Sequence, residues 1–222
     1  LNKNAKWSNG EVMTADDFVW SWKRILTASL GSQYPDMLYY LEGAEEYHTW
    51  VSEEEIKKMM ESEENPEVLV SLEESLLNLK PKPSFDTVGV KAIDEHTLKV
   101  NLKSPTPFFL GLLSHYSTWP VHKETVLKFG EIGSRNGEWT RPGNFVCNGP
   151  FQLKTWELNN KIVVEKNPHY WDASTVQLNE MHFYPVSNVM TEDRMFRAGQ
   201  LHLTSTLPSQ KCPIYIEENN PD

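Results

Sequence analysis

The side chains of this sequence best suited to hold a metal or move a proton are seven histidines, at positions 48, 96, 115, 122, 169, 182 and 202. Their spacing suggests neither task. No pair stands as H-x-x-x-H or H-E-x-x-H with a third ligand close by, so no zinc site and no cofactor is expected. A G-x-S-x-G nucleophile elbow and a phosphate-cradling P-loop are both absent from the sequence. The carboxylates cluster instead on segments that read as exposed helix faces, where an unperturbed carboxyl is a poor general acid. These features predict a protein that binds rather than catalyses. What remains for binding is aromatic: eight Trp, eight Tyr and nine Phe, rings that stack on a ligand while a phenol or indole edge makes a hydrogen bond.

Side chains bind only where elements hold them, and the clearest element begins at Lys6-Trp7-Ser8-Asn9-Gly10-Glu11. Gly10 marks a turn. Thr14 then stands as an N-cap with Asp17 three residues on as the capping-box acid, and Phe18, Trp22 and Ile25 share one helical face. Further along, Val88, Val90 and Ala92 alternate with polar residues, Asp94-Glu95-His96 turns the chain, and Leu98, Val100 and Leu102 alternate again, which is a β-hairpin. A short apolar helix through Phe108, Phe109, Leu112 and Leu113 follows, and another helix over 123–129. After the loop-rich passage 136–143 the pattern predicts a hairpin of 151–156 with 162–166, a strand over 181–185, a helix over 191–198 stopped by Gly199, and a strand over 200–205. Strand, helix and strand in that order suggest a βαβ-like unit.

Three blocks of this sequence resemble one family. The first is Lys6-Trp7-Ser8-Asn9-Gly10 with Val12-Met13-Thr14-Ala15-Asp16-Asp17-Phe18-Val19-Trp20-Ser21-Trp22-Lys23-Arg24. The second is Asn148-Gly149-Pro150-Phe151, then Trp156, then Lys166-Asn167-Pro168-His169-Tyr170-Trp171-Asp172. The third is Phe196-Arg197-Ala198-Gly199-Gln200-Leu201. In this order and rough spacing they are similar to the signatures of the oligopeptide- and dipeptide-binding proteins of ABC importers, solute-binding protein family 5.

The resemblance implies a mixed α/β and α+β fold of the periplasmic-binding-protein type II class. Such proteins close two lobes over a short peptide and pass it to membrane permease subunits, and they act outside the cytoplasm, in the periplasm or as cell-surface lipoproteins. Residues 1–145 would form the inserted α+β domain and 146–222 part of lobe one, with the whole chain an internal piece of a longer monomeric protein. Trp22 and Trp171 fall at structural positions of the motif. Tyr34, ten residues beyond Arg24, matches the tyrosine that contacts peptide main chain in oligopeptide-binding relatives, although the loop reads Ser32-Gln33-Tyr34 where S-P-Y is more usual. Asn148 and Gly149 lie at the inferred junction and are candidate hinge residues. Relatives on this scaffold also bind nickel, haem, opines or sugars. An interaction or assembly module that has lost peptide binding is the reading of a different class.

The formal charge of −10 is local. Between Glu42 and Glu74 lie twelve glutamates against two lysines, which accounts for all of it and leaves no basic face for nucleic acid. Within this acidic insert, at about residues 42–80, Ser52 with Glu55 caps a helix carrying Ile56, Met59 and Met60. Asn65-Pro66 opens a second, with Val68, Leu69, Leu72, Leu76 and Leu79. Charge runs of this kind are usually solvated faces, so a peripheral helical pair is expected. No stretch approaches the ~20 apolar residues of a membrane span. Cys147 and Cys212 are either a pair, in an oxidising compartment, or two small buried thiols.

Overall fold

The computed structural model describes residues 1–217. Its N-terminal motif folds into a tight hairpin closed by a Lys6–Val12 bridge, with Trp7 N–H donating to the Glu11 carbonyl at 2.9 Å. Gly10 sits at φ 90°, a left-handed conformation that a side chain would strain. The hairpin delivers the chain into helix α1 (Ala15–Ile25), where the Asp17 carboxylate reaches back to the Thr14 N–H at 2.7 Å. Trp22 is 1% exposed and centres a core with Leu26, Leu38, Leu41, Ala44, Val88, Val90 and Phe109, against which Phe18 and Ile25 also pack. Trp7 anchors a smaller cluster with Ala5, Met13, Phe18 and Val146.

The predicted hairpin is β1 (Val90–Asp94) with β2 (Thr97–Val100), antiparallel, Val90 opposite Val100. The preceding chain at Tyr40–Glu42 lies along its open end. Glu42 N–H bonds Asn101 O, Gly89 N–H bonds Glu42 O, and Leu41 bridges Leu102. Gly89 is required there, since a Cβ would come within 2.3 Å of the Asn101 carbonyl.

Helix α2 (Ala44–Thr49) belongs to this core: Tyr47 packs edge-on to Phe85 at 5.2 Å and His48 Nδ1 meets Leu26 O at 3.1 Å. The two acidic helices follow as the capping signals predict, α3 (Glu53–Ser62) and α4 (Pro66–Leu77). Ser52 accepts from Glu55 N–H, and Asn65 accepts from Glu67 N–H. Ile56 is the buried side chain of α3; α4 buries none and leaves Leu77 90% exposed. The peripheral part of the acidic insert therefore runs from 51 to 80, narrower than its charge suggests.

Short helices α5 (Phe109–Leu112) and α6 (Lys123–Phe129) complete this half. A three-stranded antiparallel sheet then forms from β3 (Phe151–Glu157), β4 (Lys161–Lys166) and β5 (Glu180–Phe183), with β4 central and Val163 buried. Helix α7 (Val189–Arg197) ends in a Schellman turn, Gly199 N–H to Phe196 O and Gln200 N–H to Met195 O, with Gly199 at φ 71°.

The expected strand over 200–205 is not formed. Among the described residues the segment joins neither sheet, Leu203 is 85% exposed, and the Ser205 N–H is taken by the Glu192 carboxylate at 2.8 Å. The βαβ-like unit is accordingly absent among the described residues. The last described element is instead α8 (Cys212–Glu217), tied to α7 through Asp193, which is 2% exposed, accepts from Tyr215 OH at 2.8 Å and is ion-paired to Lys211. Trp171, expected as core, is 51% exposed: it lies in the turn after β4 with its ring against Tyr170. Cys147 and Cys212 are both free thiols.

Candidate functional site

Tyr34 lies half-buried in the loop between two single-turn 3-10 helices, Ala28–Leu30 and Pro35–Leu38. Its ring meets His115 at 5.0 Å and Tyr116 at 5.9 Å, both edge-to-face. A hydrogen bond with the Tyr34 hydroxyl holds the Tyr116 phenol above the usual tyrosine range. His115 Nδ1 is engaged by Ser117, whose hydroxyl stands at 2.8 Å and whose N–H donates at 3.4 Å.

The segment carrying His115 and Tyr116 is held by α1. Trp22 Nε1 donates to Thr118 O at 2.8 Å, and Val121 N–H donates to the Ser21 hydroxyl at 2.9 Å. The Ser-Trp pair of the N-terminal motif thus positions a distant loop, and several apolar side chains on it and on the adjoining α5 face outward. Phe108 is 55%, Leu110 80%, Tyr116 60% and Trp119 57% exposed. Three rings in mutual contact beside exposed apolar residues can pack over a flat ligand group, while phenol hydroxyls donate or accept. By contrast, the shallow depression over α3 is lined by Glu53, Glu54, Lys57, Lys58 and Glu61, a charged solvated surface.

Asn148 and Gly149 sit where residues 146–150 pass from the N-terminal hairpin to β3. Ser8 N–H donates to Cys147 O at 2.7 Å, Cys147 N–H donates to the Ser8 hydroxyl, and Asn148 Nδ2 approaches Met13 Sδ at 2.8 Å. On the other side the fully buried Asn167 donates from Nδ2 to Gly149 O at 2.9 Å, and its N–H donates to Pro150 O. Burial pushes the Cys147 thiol up, away from reactivity. Gly149 needs no special backbone conformation, and a Cβ there would meet nothing closer than Phe151 O at 4.0 Å. Tyr34 and the Asn148–Gly149 pair are thus two separate places rather than one site. Sequence reading missed His115, Tyr116 and Asn167: the first two are joined to Tyr34 only by tertiary folding, whereas the Asn167-Pro168 step offered a signal.

Residues 1–222 match the model of bacterial extracellular solute-binding proteins, family 5 Middle. The chain belongs to that family. It is 36% identical over 205 residues to the periplasmic oligopeptide-binding protein OppA of Escherichia coli, covering 92% of this chain and 31% of that protein. It is 32% identical over 226 residues to the oligopeptide-binding protein OppA of Bacillus subtilis, covering 99% and 34%. The structure of Haemophilus influenzae OppA in complex with the peptide RPPGFSPFR superposes with a TM-score of 0.77 at 28% identity, covering all of this chain and 36% of that one. The Escherichia coli relative is a periplasmic binding protein, and the fold of helix mixed with sheet is shared with the Haemophilus influenzae structure. The chain spans about a third of the length of the relatives it matches.

Proposed function

We propose that the protein is the extracytoplasmic substrate-binding component of an ABC importer and takes short peptides. The observation that carries this is the likeness of the whole of this chain to 36% of a peptide-bound oligopeptide-binding protein at a TM-score of 0.77. The Tyr34, His115 and Tyr116 cluster suits such a ligand, because ring faces and phenol hydroxyls recognise the peptide plane without reading side chains. In this reading Tyr34 contacts ligand main chain. Residues 1–145 act as the inserted α+β domain, residues 146–222 belong to lobe one, and Asn148 with Gly149 flexes as the lobes close. Closure is a population shift driven by contacts made to both lobes at once. The role is binding and delivery to membrane permease subunits, with no catalytic step.

Calorimetry of the complete protein against tri- to pentapeptides of varied sequence tests it. Micromolar binding with little dependence on side chains is expected, a free energy of about −8 kcal/mol. No peptide binding, or tight binding of a non-peptide solute in its place, overturns the reading.

A further inference from the structure

Histidine spacing offered no metal set, yet folding assembles one away from the aromatic cluster. Glu11 in the N-terminal hairpin, His122 at the N-cap of α6 and Glu124 in its first turn bring one ligand atom each within 4.8 Å of one another. The His122 ring is buried, 4% exposed, and packs edge-on to Trp7 at 5.2 Å. Its Nε2 is aimed at the two carboxylates, 2.6 Å from Glu11 and 3.5 Å from Glu124.

The geometry points to a divalent-cation site formed by Glu11, His122 and Glu124, with zinc as the fitting ion. Bonds of ~2.0–2.1 Å to a tetrahedral centre put neighbouring ligand atoms roughly 3.3 Å apart. The His122–Glu124 separation already has that value within 0.2 Å. The Glu11 pair must open by roughly 0.7 Å to reach the same tetrahedral edge, and its side chain, 60% exposed, is free to swing. One imidazole with two carboxylates suits zinc, and water takes the fourth position.

Two further observations favour a cation. Among the described residues the ion pairs of Glu11 and Glu124 run only to His122, so two carboxylates share one imidazole. The ring also has the outer partner that a metal-bound imidazole uses, for the Thr125 hydroxyl stands 2.8 Å from Nδ1 and can accept its proton. Adopting that tautomer gives up the weaker 3.3 Å bond from Thr125 N–H to Nδ1. A bound ion would clamp the N-terminal hairpin to α6 across 111 residues of chain.

The test is a zinc titration of the complete protein, stripped with EDTA, by calorimetry and thermal melting, alongside Glu11→Gln and Glu124→Gln. Both carboxylates are exposed, so these variants fold even if His122→Ala, which loses a buried ring, does not. The parent is expected to bind one zinc that raises its melting temperature, and each Gln variant to lose at least the roughly 10–100-fold in affinity that even outer-sphere partners contribute. Absence of zinc binding in the parent, or equal affinity in parent and both variants, overturns the proposal.

Discussion

Removing a single oxygen from Tyr34 separates its two proposed roles. In Tyr34→Phe the ring keeps its edge contacts with His115 at 5.0 Å and Tyr116 at 5.9 Å, and only the hydroxyl is lost. If that hydroxyl bonds ligand main chain, peptide affinity falls by one hydrogen bond, about 0.5–1.5 kcal/mol, or roughly 2- to 13-fold in Kd. Tyr34→Ala takes the ring as well and costs more. Stability changes little in the Phe variant, because the partner lost within the protein is the hydroxyl of the exposed Tyr116. That partner supplies an internal control. The Tyr34 hydroxyl is what chiefly holds the Tyr116 phenol high, so in Tyr34→Phe the tyrosinate absorbance of Tyr116 should appear at lower pH. Calorimetry with one peptide, a urea melt and an ultraviolet pH titration read the three quantities separately. Unchanged affinity in both variants, with the Tyr116 shift present, would refute the ligand role while leaving the structural contact intact.

The acidic helices should be dispensable: the Trp50 Nε1 to Lys80 O bond at 2.9 Å brings their ends together. Replacing residues 51–79 with a short Gly/Ser link loses the burial of Ile56, about 1.5–3 kcal/mol, against about 1–2 kcal/mol recovered from the shorter loop. Near-UV circular dichroism should be retained, whereas a deletion starting at Glu45, which strips Tyr47 from Phe85, should collapse it. Trp22→Phe should destabilise by about 2–4 kcal/mol in a urea melt, by leaving a cavity and an unpaired Thr118 carbonyl; a change within error would mean the loop is held elsewhere. Asp193, whose carboxyl is held low first by its hydrogen bond from Lys211 and then by Tyr215, contributes stability that is present above the unfolded value of about 3.9 and lost as pH falls through the lower folded value. The urea midpoint should therefore drop at acid pH in the parent and flatten in Asp193→Asn, and identical acid limbs in the two would count against the pairing.

Local signals in the sequence determined most of the elements. The Thr14 and Asp17 cap, the Ser52 and Glu55 box, the Asn65-Pro66 start and the alternation of 88–102 each act within a few residues, where chain geometry alone decides the partner. Motif resemblance extended this to the family. The strand expected at 200–205 failed because alternation shows only that a segment can pair, whereas a ladder needs a neighbouring edge that other parts of the chain must supply. Burial of α2 and exposure of α4 were equally closed to a charge count, since both helices carry glutamates and only docking distinguishes them. Tyr34 with His115 and Tyr116, Asn167 with Gly149, and Glu11 with His122 are partners across long stretches of sequence. No periodicity links such residues, and each set becomes neighbours only through tertiary packing.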